Sequence, residues 1–509
     1  MNNNFIDNSN NTQSNNTIQL SSFRELLVNY NADTDSDKWS KYITPQLMTK
    51  LAENFDISIE ASGRKYNVFF IANMYLLFHK LIFEKNEKKF YSYDPQRGLW
   101  VETTECTLVN KIQRFILDFS NTPWGIDQGG AQNLSQCKQV VEILRGAAEH
   151  DKPFERPKDK YIIHTKNTML EYSQQEMRWQ THDFSADYRS RNATEIMYDP
   201  EATAPRFMAE LLQPAMTQED IDILQKYVGQ ILLGNNLSQR FLMITGTAGG
   251  GKSTLVNVIE QLISRVNCTE LRMKEGNNRF ETCRYVGKTL LTAKDVSSQF
   301  LNHRHAGILK ALTGGDVLTV EYKGHNNTVD IVGNFNIIIV SNSSLQLKLD
   351  NDMEAWRRRL LWIKYSGKPQ KNPIADFDKI LIEEEGSGIL NWALAGAEKL
   401  LTAGGKIQPP QEQVERINDL LNGADPLNTF VKKQLEKTDD VSMTTEEIWN
   451  YFNNYCQNNE LQKCAKSVFQ HRLPELIEQM FGIRCQHNII RKGKAKRGYS
   501  GISLALSHN

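Results

Sequence analysis

Short apolar runs alternate with amphipathic segments between residues 206 and 402. Three of the runs, FLMIT, TLLTA and NIIIV, are brief and rich in residues that favour strands. A short continuous run of this kind is typical of a strand buried on both faces, as in a parallel sheet covered by helices. The pattern therefore predicts an α/β domain over 206–402.

The segments before this domain follow other patterns. Residues 1–22 are polar and of low complexity, which predicts a disordered tail because such a segment cannot bury enough apolar surface to offset its chain entropy. Residues 23–205 mix amphipathic helical patterns with the run KKFYSYDPQRGLWVE, in which alternating aromatic residues flank turn residues. We expect an N-terminal α+β domain containing this β-hairpin.

The chain after residue 402 begins with the glycines and prolines of AGGKIQPPQEQ. This composition predicts a linker over 403–424 and a separate domain over 425–509. In that domain the helical patterns TTEEIWNYFNNYCQ, with its Thr-x-x-Glu capping signal, and AKSVFQHRLPELIEQMF precede a basic hairpin. Two helices before a basic hairpin suit a winged-helix module.

The basic hairpin predicts a nucleic-acid contact. From Arg484 to Arg497 there are six Lys and Arg residues and no acidic residue. Such a wing could lie on DNA phosphates through Arg491, Lys492, Lys494, Lys496 and Arg497. A solubilising basic turn, or a wing that docks a protein, remains an alternative.

Composition narrows the class of protein. Lys plus Arg and Asp plus Glu both number 60, so affinity for nucleic acid must come from local basic patches. Apolar stretches are too short to span a membrane, and the N-terminus lacks the basic and apolar regions of a secretory signal. Seven cysteines without a Cys-x-x-Cys pair argue against a disulfide framework and a zinc ribbon. We expect a cytoplasmic protein without a membrane partner.

A glycine-rich segment follows the run FLMIT and precedes the helical pattern LVNVIEQLI. It fits the pattern GxxxxGK[ST], in which backbone N–H groups at a helix N-terminus surround phosphates, the lysine reaches the β- and γ-phosphates and the hydroxyl binds Mg²⁺. We expect an ATP and Mg²⁺ site at Gly246, Thr247, Ala248, Gly249, Gly250, Gly251, Lys252, Ser253 and Thr254.

Polar residues that end the other two apolar runs complete this prediction. Asp295 follows TLLTA and Lys294, and is the candidate ligand for Mg²⁺ and water. Asn342 follows NIIIV and could orient the attacking water against the γ-phosphate. A solvated loop acid and an ordinary turn asparagine are the alternatives.

Five segments in succession resemble a known family: GTAGGGKST, GKTLLTAKD, LKALTGGD, GNFNIIIVSN and AWRRRLLWIKY. Their order is similar to that in superfamily 3 helicases of the phage and plasmid primase-helicase type, which are related to poxvirus primase-helicases. The resemblance is dense from Phe207 to Tyr365 and weaker on either side, and we find no primase centre. It implies an AAA+-like P-loop ATPase core, preceded by an α+β domain of the phage and plasmid helicase type and followed by a winged-helix domain.

The resemblance also implies roles for individual residues. Lys252 and Ser253 would contact phosphate and Mg²⁺, Asp295 would be the Walker B acid and Asn342 the sensor. The single acid at Asp295 departs from the commoner form, which has two acids or a glutamate.

Three arginines precede the last apolar strand of the core. The resemblance aligns Arg358 and Arg359 with the finger region, in which an arginine from a neighbouring subunit stabilises charge on the γ-phosphate. A solvated basic face, or ion pairs with Asp350, Asp352 and Glu354, is the alternative.

Two alternating segments around a Gly-Asn turn predict a hairpin between TGGD and the sensor strand. In ring helicases of the family the equivalent hairpin enters the central channel and grips single-stranded DNA. By that resemblance Lys323 and His325 would follow the strand. A surface hairpin with a solvated tip is the alternative.

Together these features favour an ATP-dependent DNA helicase that acts as a homo-oligomeric, hexameric ring on single-stranded and forked DNA. It would serve replication of a phage, plasmid or integrated element in a bacterial or virus-infected host cell, with a separate primase or polymerase as a further partner. An ATP-gated initiator that recognises an origin, and an AAA+-like ATPase that does not unwind DNA, are the alternatives.

Overall fold

The structure is a computed structural model. It describes residues 58–60, 63–65, 68–120, 133–155, 160–272, 281–297, 300–301, 303–321, 328–342, 353–369, 371–459, 461 and 463–505.

The described residues divide into two compact units, one drawn from 1–160 and 182–193 and the other from 161–181 and 194–509. The structure differs here from the predicted N-terminal domain over 23–205, because segment 161–181 belongs to the second unit. Ile163 and Leu170 of this segment are buried in the core that also contains residues of the runs FLMIT and NIIIV. Segment 161–181 belongs to the second unit because it packs against residues far along the chain, and its local sequence pattern does not reveal those contacts.

The first unit contains the elements β1 (Ser58–Glu60), β2 (Gly63–Lys65), α1 (Val68–Phe78), β3 (Leu81–Glu84), β4 (Lys89–Asp94), β5 (Leu99–Thr103), α2 (Glu105–Ser120), α3 (Leu134–Ala147) and β6 (Glu149–His150). Four strands form one sheet in the order β5-β4-β3-β6. The predicted hairpin is confirmed as the antiparallel pair β4 and β5. Its turn is held by Asp94, whose carboxylate accepts the backbone N–H of Gln96 at 3.0 Å.

The second unit begins with a sheet of β7 (Ile162–His164), β8 (Met169–Ser173) and β9 (Arg178–His182). Its central part contains α4 (Gln218–Leu233), β10 (Phe241–Gly246), α5 (Lys252–Ile263), β11 (Cys268–Glu270), β12 (Leu290–Ala293), α6 (His303–Gly314), β13 (Val317–Glu321), β14 (Thr328–Val332), β15 (Asn336–Ser341), α7 (Met353–Arg359), β16 (Leu360–Tyr365) and α8 (Phe377–Thr402).

Five strands of this part form a parallel sheet in the order β11-β12-β15-β10-β16. The three predicted strands are confirmed as β10, β12 and β15, and nearly all their residues are buried. Helices cover the sheet, so both faces of these strands are apolar. The strand β11 was not predicted, because three residues carry too little pattern to be recognised.

Helices α4 and α8 pack closely in the core that covers one face of the sheet. A side chain in place of Gly229 would put its Cβ 2.1 Å from the backbone nitrogen of Ala397, and one in place of Gly396 would lie 2.0 Å from the carbonyl oxygen of Gln225. The two glycines therefore permit the close approach. Within the described residues, no helix combines the length and apolar character needed to cross a bilayer.

The predicted linker over 403–424 differs from the structure, because Gln411–Ala424 forms a helix, α9. Ile417 and Leu421 are 1% and 0% exposed and belong to the core beneath β16. The prolines that suggested a break instead precede the helix, where Pro410 is its N-cap.

The C-terminal part contains α10 (Pro426–Gln434), β17 (Leu435–Thr444), α11 (Thr445–Asn458), α12 (Lys466–Phe481), β18 (Gln486–Arg491) and β19 (Lys494–Leu504). Its sheet has the order β17-β19-β18. The predicted capping box is confirmed: the hydroxyl of Thr444 accepts the N–H of Glu447 at 3.2 Å, and the Glu447 carboxylate accepts the N–H of Thr444 at 2.8 Å. The two helices and the basic hairpin predicted here are also present.

Candidate functional site

The carboxyl ends of β10, β12 and β15 lie at one edge of the parallel sheet. β10 runs into the glycine-rich segment, Asp295 follows β12 after one residue and Asn342 follows β15 directly. Ligands commonly bind at this edge of a parallel sheet, because the strands deliver loop residues and helix N-termini to the same place. The structure thus brings the predicted nucleotide residues together.

The glycine-rich loop needs glycine for two different reasons. Gly251 is the N-cap of α5 and has a φ of 103°, a conformation that residues with a Cβ rarely adopt. A Cβ at Gly250 would lie 2.3 Å from the carbonyl oxygen of Gly367, so the backbones approach too closely for any side chain. The loop is therefore tightly curled at the start of α5.

Lys252 is folded into this curl. Its Nζ donates to the carbonyl oxygens of Gly246 and Thr247, both at 2.7 Å, and the residue is 3% exposed. Burial lowers the pKa of Lys252, and the nearby carboxylate of Asp295 opposes this shift. The ammonium group is thus held at the loop, near an acidic side chain.

Asp295 and Asn342 contact each other. Asn342 Nδ2 donates to Asp295 Oδ1 at 3.2 Å, and Asp295 adopts a positive φ of 52°. The loop after β12 is fixed by Ser341, whose hydroxyl donates to the carbonyl oxygen of Val296 at 3.0 Å. Both residues remain exposed, so neighbouring strands present a carboxylate and an amide together at the surface.

Lys294, the residue that departs from the two-acid pattern, has its own partners. Its Nζ contacts Glu260 Oε2 at 2.8 Å and Asn257 Oδ1 at 2.9 Å. Glu260 also accepts a hydrogen bond from the hydroxyl of Thr292 at 2.7 Å. The cation is therefore neutralised by α5. Sequence reasoning missed Glu260, although its spacing of three residues from Asn257 places both on one face of the helix.

The residues at this edge fit ATP and Mg²⁺ chemically. The Ser253 hydroxyl and Asp295 carboxylate are exposed oxygen donors of the kind that Mg²⁺ prefers. The loop places a lysine and the N-terminus of α5 where phosphate oxygens would be stabilised. Among the described residues, Ser253 makes no side-chain hydrogen bond, so its hydroxyl is available to a ligand.

The predicted finger arginines lie at the opposite edge of the sheet. Phe241 pairs with Leu360 and Gly246 pairs with Tyr365, so α7 lies where β10 begins rather than where it ends. Five residue steps along β16 span roughly 17 Å. No arginine of α7 is therefore next to its own chain's glycine-rich loop.

The three consecutive arginines have different surroundings. Arg357 donates to Asn418 Oδ1 at 2.8 Å and forms an ion pair with Glu354. Arg359 is 8% exposed, donates to the carbonyl oxygen of Ala355 at 3.3 Å, and burial lowers its pKa. Arg358 is exposed and makes no hydrogen bond or ion pair within the described part of the chain. Asp350 and Asp352 lie outside the described residues.

The hairpin predicted between TGGD and the sensor strand is confirmed as the antiparallel pair β13 and β14. Lys323 and His325 lie outside the described residues, so their proposed contact with DNA stays a prediction. At the base of the hairpin Val317 pairs with Val332, and both are exposed, at 66% and 57%.

Three of the five predicted wing residues have partners inside the C-terminal part. Arg491 Nε donates to Glu447 Oε1 at 2.8 Å, Lys496 pairs with Glu446 at 2.9 Å and Arg497 Nε contacts Cys485 Sγ at 3.1 Å. Lys492 and Lys494 are exposed at the turn and have no such partner among the described residues. The two wing cations without such a partner therefore lie at its tip.

A protein family described as a family of unknown function (DUF5906) matches residues 244–359. The match covers less than a quarter of the chain, but it spans the glycine-rich loop, Asp295, Asn342 and the arginines of α7. No curated protein matches this chain.

Three apo structures of the NrS-1 C-terminal region are similar in part. Two are 13% identical and cover 86% of this chain and 100% of theirs, with TM-scores of 0.46 and 0.44. A third is 12% identical, covers 86% of this chain and 99% of its own, and has a TM-score of 0.47. At these scores the likeness is too weak to assign a fold or a function to this chain.

Proposed function

We propose that this protein is an ATP- and Mg²⁺-dependent DNA helicase of the superfamily 3 type, which forms a ring and moves along single-stranded DNA during replication of a phage, plasmid or integrated element. The observation that most supports the proposal is the convergence of the glycine-rich loop, Lys252 and the bonded pair Asp295 and Asn342 at one edge of a parallel sheet. A phosphate cradle, a cation, a carboxylate and a polar amide are the groups that hydrolysis of ATP requires.

Each group has a distinct role in this proposal. Lys252 exchanges its carbonyl partners for the β- and γ-phosphate oxygens of ATP. Ser253 and Asp295 would hold Mg²⁺, and the ion would supply positive charge to the phosphates. Asn342, already oriented by Asp295, positions the attacking water.

The finger arginine acts on a neighbouring subunit. Because α7 lies at the far edge of its own sheet, Arg358 must reach the γ-phosphate held by another copy of the chain. Arg358 suits this role because it is exposed and unpaired among the described residues. Arg359 suits it less, because its side chain is buried.

DNA contacts are assigned to two places. The hairpin of β13 and β14 carries Lys323 and His325, which would grip a single strand in the channel. The order of helices and strands after residue 425 supports a winged-helix module, with Lys492 and Lys494 at the tip of the wing contacting duplex phosphates.

The proposal is tested by single-strand-stimulated ATP turnover of Lys252→Ala. We expect turnover to be abolished, since the variant loses the cation that neutralises the phosphates. The matched control is Lys288→Ala, because Lys288 Nζ also donates to a main-chain carbonyl, that of Val266 at 2.6 Å, but lies at the other edge of the sheet. Turnover by Lys252→Ala at the control rate would refute the nucleotide site.

The alternative of an origin-binding initiator is separated by DNA preference. A helicase is expected to respond to any single strand, whereas an initiator would prefer one duplex sequence. ATP turnover stimulated equally by unrelated single strands, with unwinding of a preloaded fork, would support the helicase.

A further inference from the structure

A cavity of about 410 Å³ lies in the C-terminal part, between the first turns of α11, the first turns of α12 and β19, the second strand of the basic hairpin and the central strand of its sheet. Its volume is within the range of about 300–1,000 Å³ that is usual for small-ligand sites. Lys496 and Arg497 of its lining belong to the predicted wing, and none of the lining residues takes part in the proposed ATP hydrolysis.

An aromatic side chain forms part of the wall. Trp449 is partly buried, and its ring lies 4.8 Å from the ring of Phe469 and 5.9 Å from that of Phe452, measured between centroids. These contacts fix the indole against the core. Its N–H has no hydrogen-bond partner among the described residues.

Several polar groups of the cavity lack partners. Lys466 and Gln470 are exposed, lie one turn apart on α12 and make no hydrogen bond or ion pair with described residues. The hydroxyl of Thr445 is buried and has no hydrogen-bond partner in the part of the chain that the structure describes.

The charge of the cavity is positive. Lys466, Lys496 and Arg497 contribute three cations, and Glu446 contributes one carboxylate. Lys496 pairs with this carboxylate at 2.9 Å, so it neutralises the one group that would repel a phosphate.

We propose that this cavity binds one unpaired nucleotide of a DNA strand, with the base stacked on Trp449 and its phosphate near Lys466 and Arg497. The inference rests on the proposed function in that it takes DNA as the partner of the C-terminal part. Aromatic platforms beside cations are the usual means of holding unpaired bases. An acidic peptide could use the cations but would leave the indole without a stacking partner. The site would hold a strand next to the duplex that the wing contacts.

The test is photo-crosslinking of the full chain to oligothymidine strands that carry one 5-iodouracil at the 5′ end, in the middle or at the 3′ end. No ATP is present, so the result does not depend on the nucleotide site of the ATPase. We expect an adduct at Trp449, identified by mass spectrometry, and its dependence on the label position distinguishes a terminal from an internal nucleotide.

Variants complete the test. The exposed pair Lys466→Gln with Gln470→Ala should bind the strand about tenfold more weakly, the scale of one lost hydrogen bond between a cation and a phosphate. Tyr451→Ala is the matched control, because Tyr451 lies on α11, is 44% exposed and does not line the cavity. Its affinity and adduct yield should equal those of the wild type.

Two results would overturn the proposal. One is the absence of an adduct at Trp449 together with wild-type affinity of the double variant. In that case DNA does not enter the cavity, and a protein segment becomes the candidate ligand. The other is weaker binding of the double variant without any adduct at Trp449, which would mean that the cavity holds only the phosphodiester backbone. Neither result would contradict the proposed ATPase activity. Conversely, a lack of ATPase activity would not contradict nucleotide binding in the cavity.

Discussion

The two edges of the central sheet differ in what their polar groups contact. At the carboxyl edge Lys252 donates to loop carbonyls, and Asp295 and Asn342 are bonded to each other. At the amino edge Arg358 is exposed without a partner in the described structure. Roughly 17 Å of strand separates the edges. Arg358 therefore cannot reach the glycine-rich loop of its own chain. In the proposed ring it would reach the loop of a second copy placed beside it.

The three arginines of α7 differ from one another in their surroundings, although all lie at the amino edge of the sheet. They are identical and consecutive, yet one is paired, one is exposed and one is buried. Their different surroundings arise because successive helical residues point about 100° apart. Among the three, only Arg358 combines exposure with the lack of a hydrogen bond or ion pair in the described part of the chain, which the proposed contact with another subunit requires.

The largest expected effect tests whether the edges cooperate between subunits. Arg358→Ala should lower ATP turnover about 10³-fold, because the γ-phosphate loses its stabilising cation. Mixing it with Lys252→Ala should restore part of the turnover, since each variant supplies the edge that the other lacks. Turnover is measured after subunit exchange.

Arg357→Ala is the control for this experiment, because it removes a neighbouring guanidinium that already has partners in its own chain. Its turnover should stay well above that of Arg358→Ala. If the mixed variants recover no turnover, Arg358 does not act between subunits.

A somewhat smaller effect tests the carboxyl edge alone. Asp295→Asn should lower ATP turnover about 10²-fold while ATP binding is retained, because the loop still surrounds the phosphates but the charge that acts on Mg²⁺ and water is lost. Turnover and ATP titration measure the two separately. The control is Asp330→Asn on β14, an exposed aspartate bonded to Thr319. Equal turnover by both variants would move the role to another acid.

The next effect concerns stability at the same edge. Lys294→Met should lower the free energy of unfolding by about 2 kcal/mol, because the largely buried carboxylate of Glu260 loses its cation. Urea denaturation measures the loss. Lys294→Met combined with Glu260→Gln should recover most of it.

ATP turnover of folded Lys294→Met should remain near that of the wild type, since Lys294 faces α5 rather than the loop. A large loss of turnover without loss of stability would instead place Lys294 in the hydrolysis site.

The smallest effect tests the wing. Lys492→Ala with Lys494→Ala should reduce the salt dependence of duplex binding by about two units of logarithmic slope, one for each lost phosphate contact. Affinities measured over a range of salt concentrations give the slope. The control is Lys432→Ala with Lys433→Ala, which removes the same charge from exposed positions on α10. Equal slopes for the two double variants would remove the wing from the DNA interface.

Local features of the sequence determined a large part of this structure. The runs that became β10, β12 and β15 were recognisable because strands buried on both faces require continuous apolar residues. The capping box at Thr444 was recognisable because its partners lie three residues apart. The glycine-rich segment was equally local, since a curled backbone at a helix start dictates its residue types.

Other features were decided only by the tertiary structure, because they depend on partners far along the chain. The sequence could not reveal that Lys294 would pair with Glu260, 34 residues away, or that Arg491 would be held by Glu447, 44 residues away. Helix α9 looked like a linker because its sequence gives no sign that Ile417 and Leu421 pack beneath β16. Pairing and burial are settled by which surfaces meet, and local pattern does not contain that information.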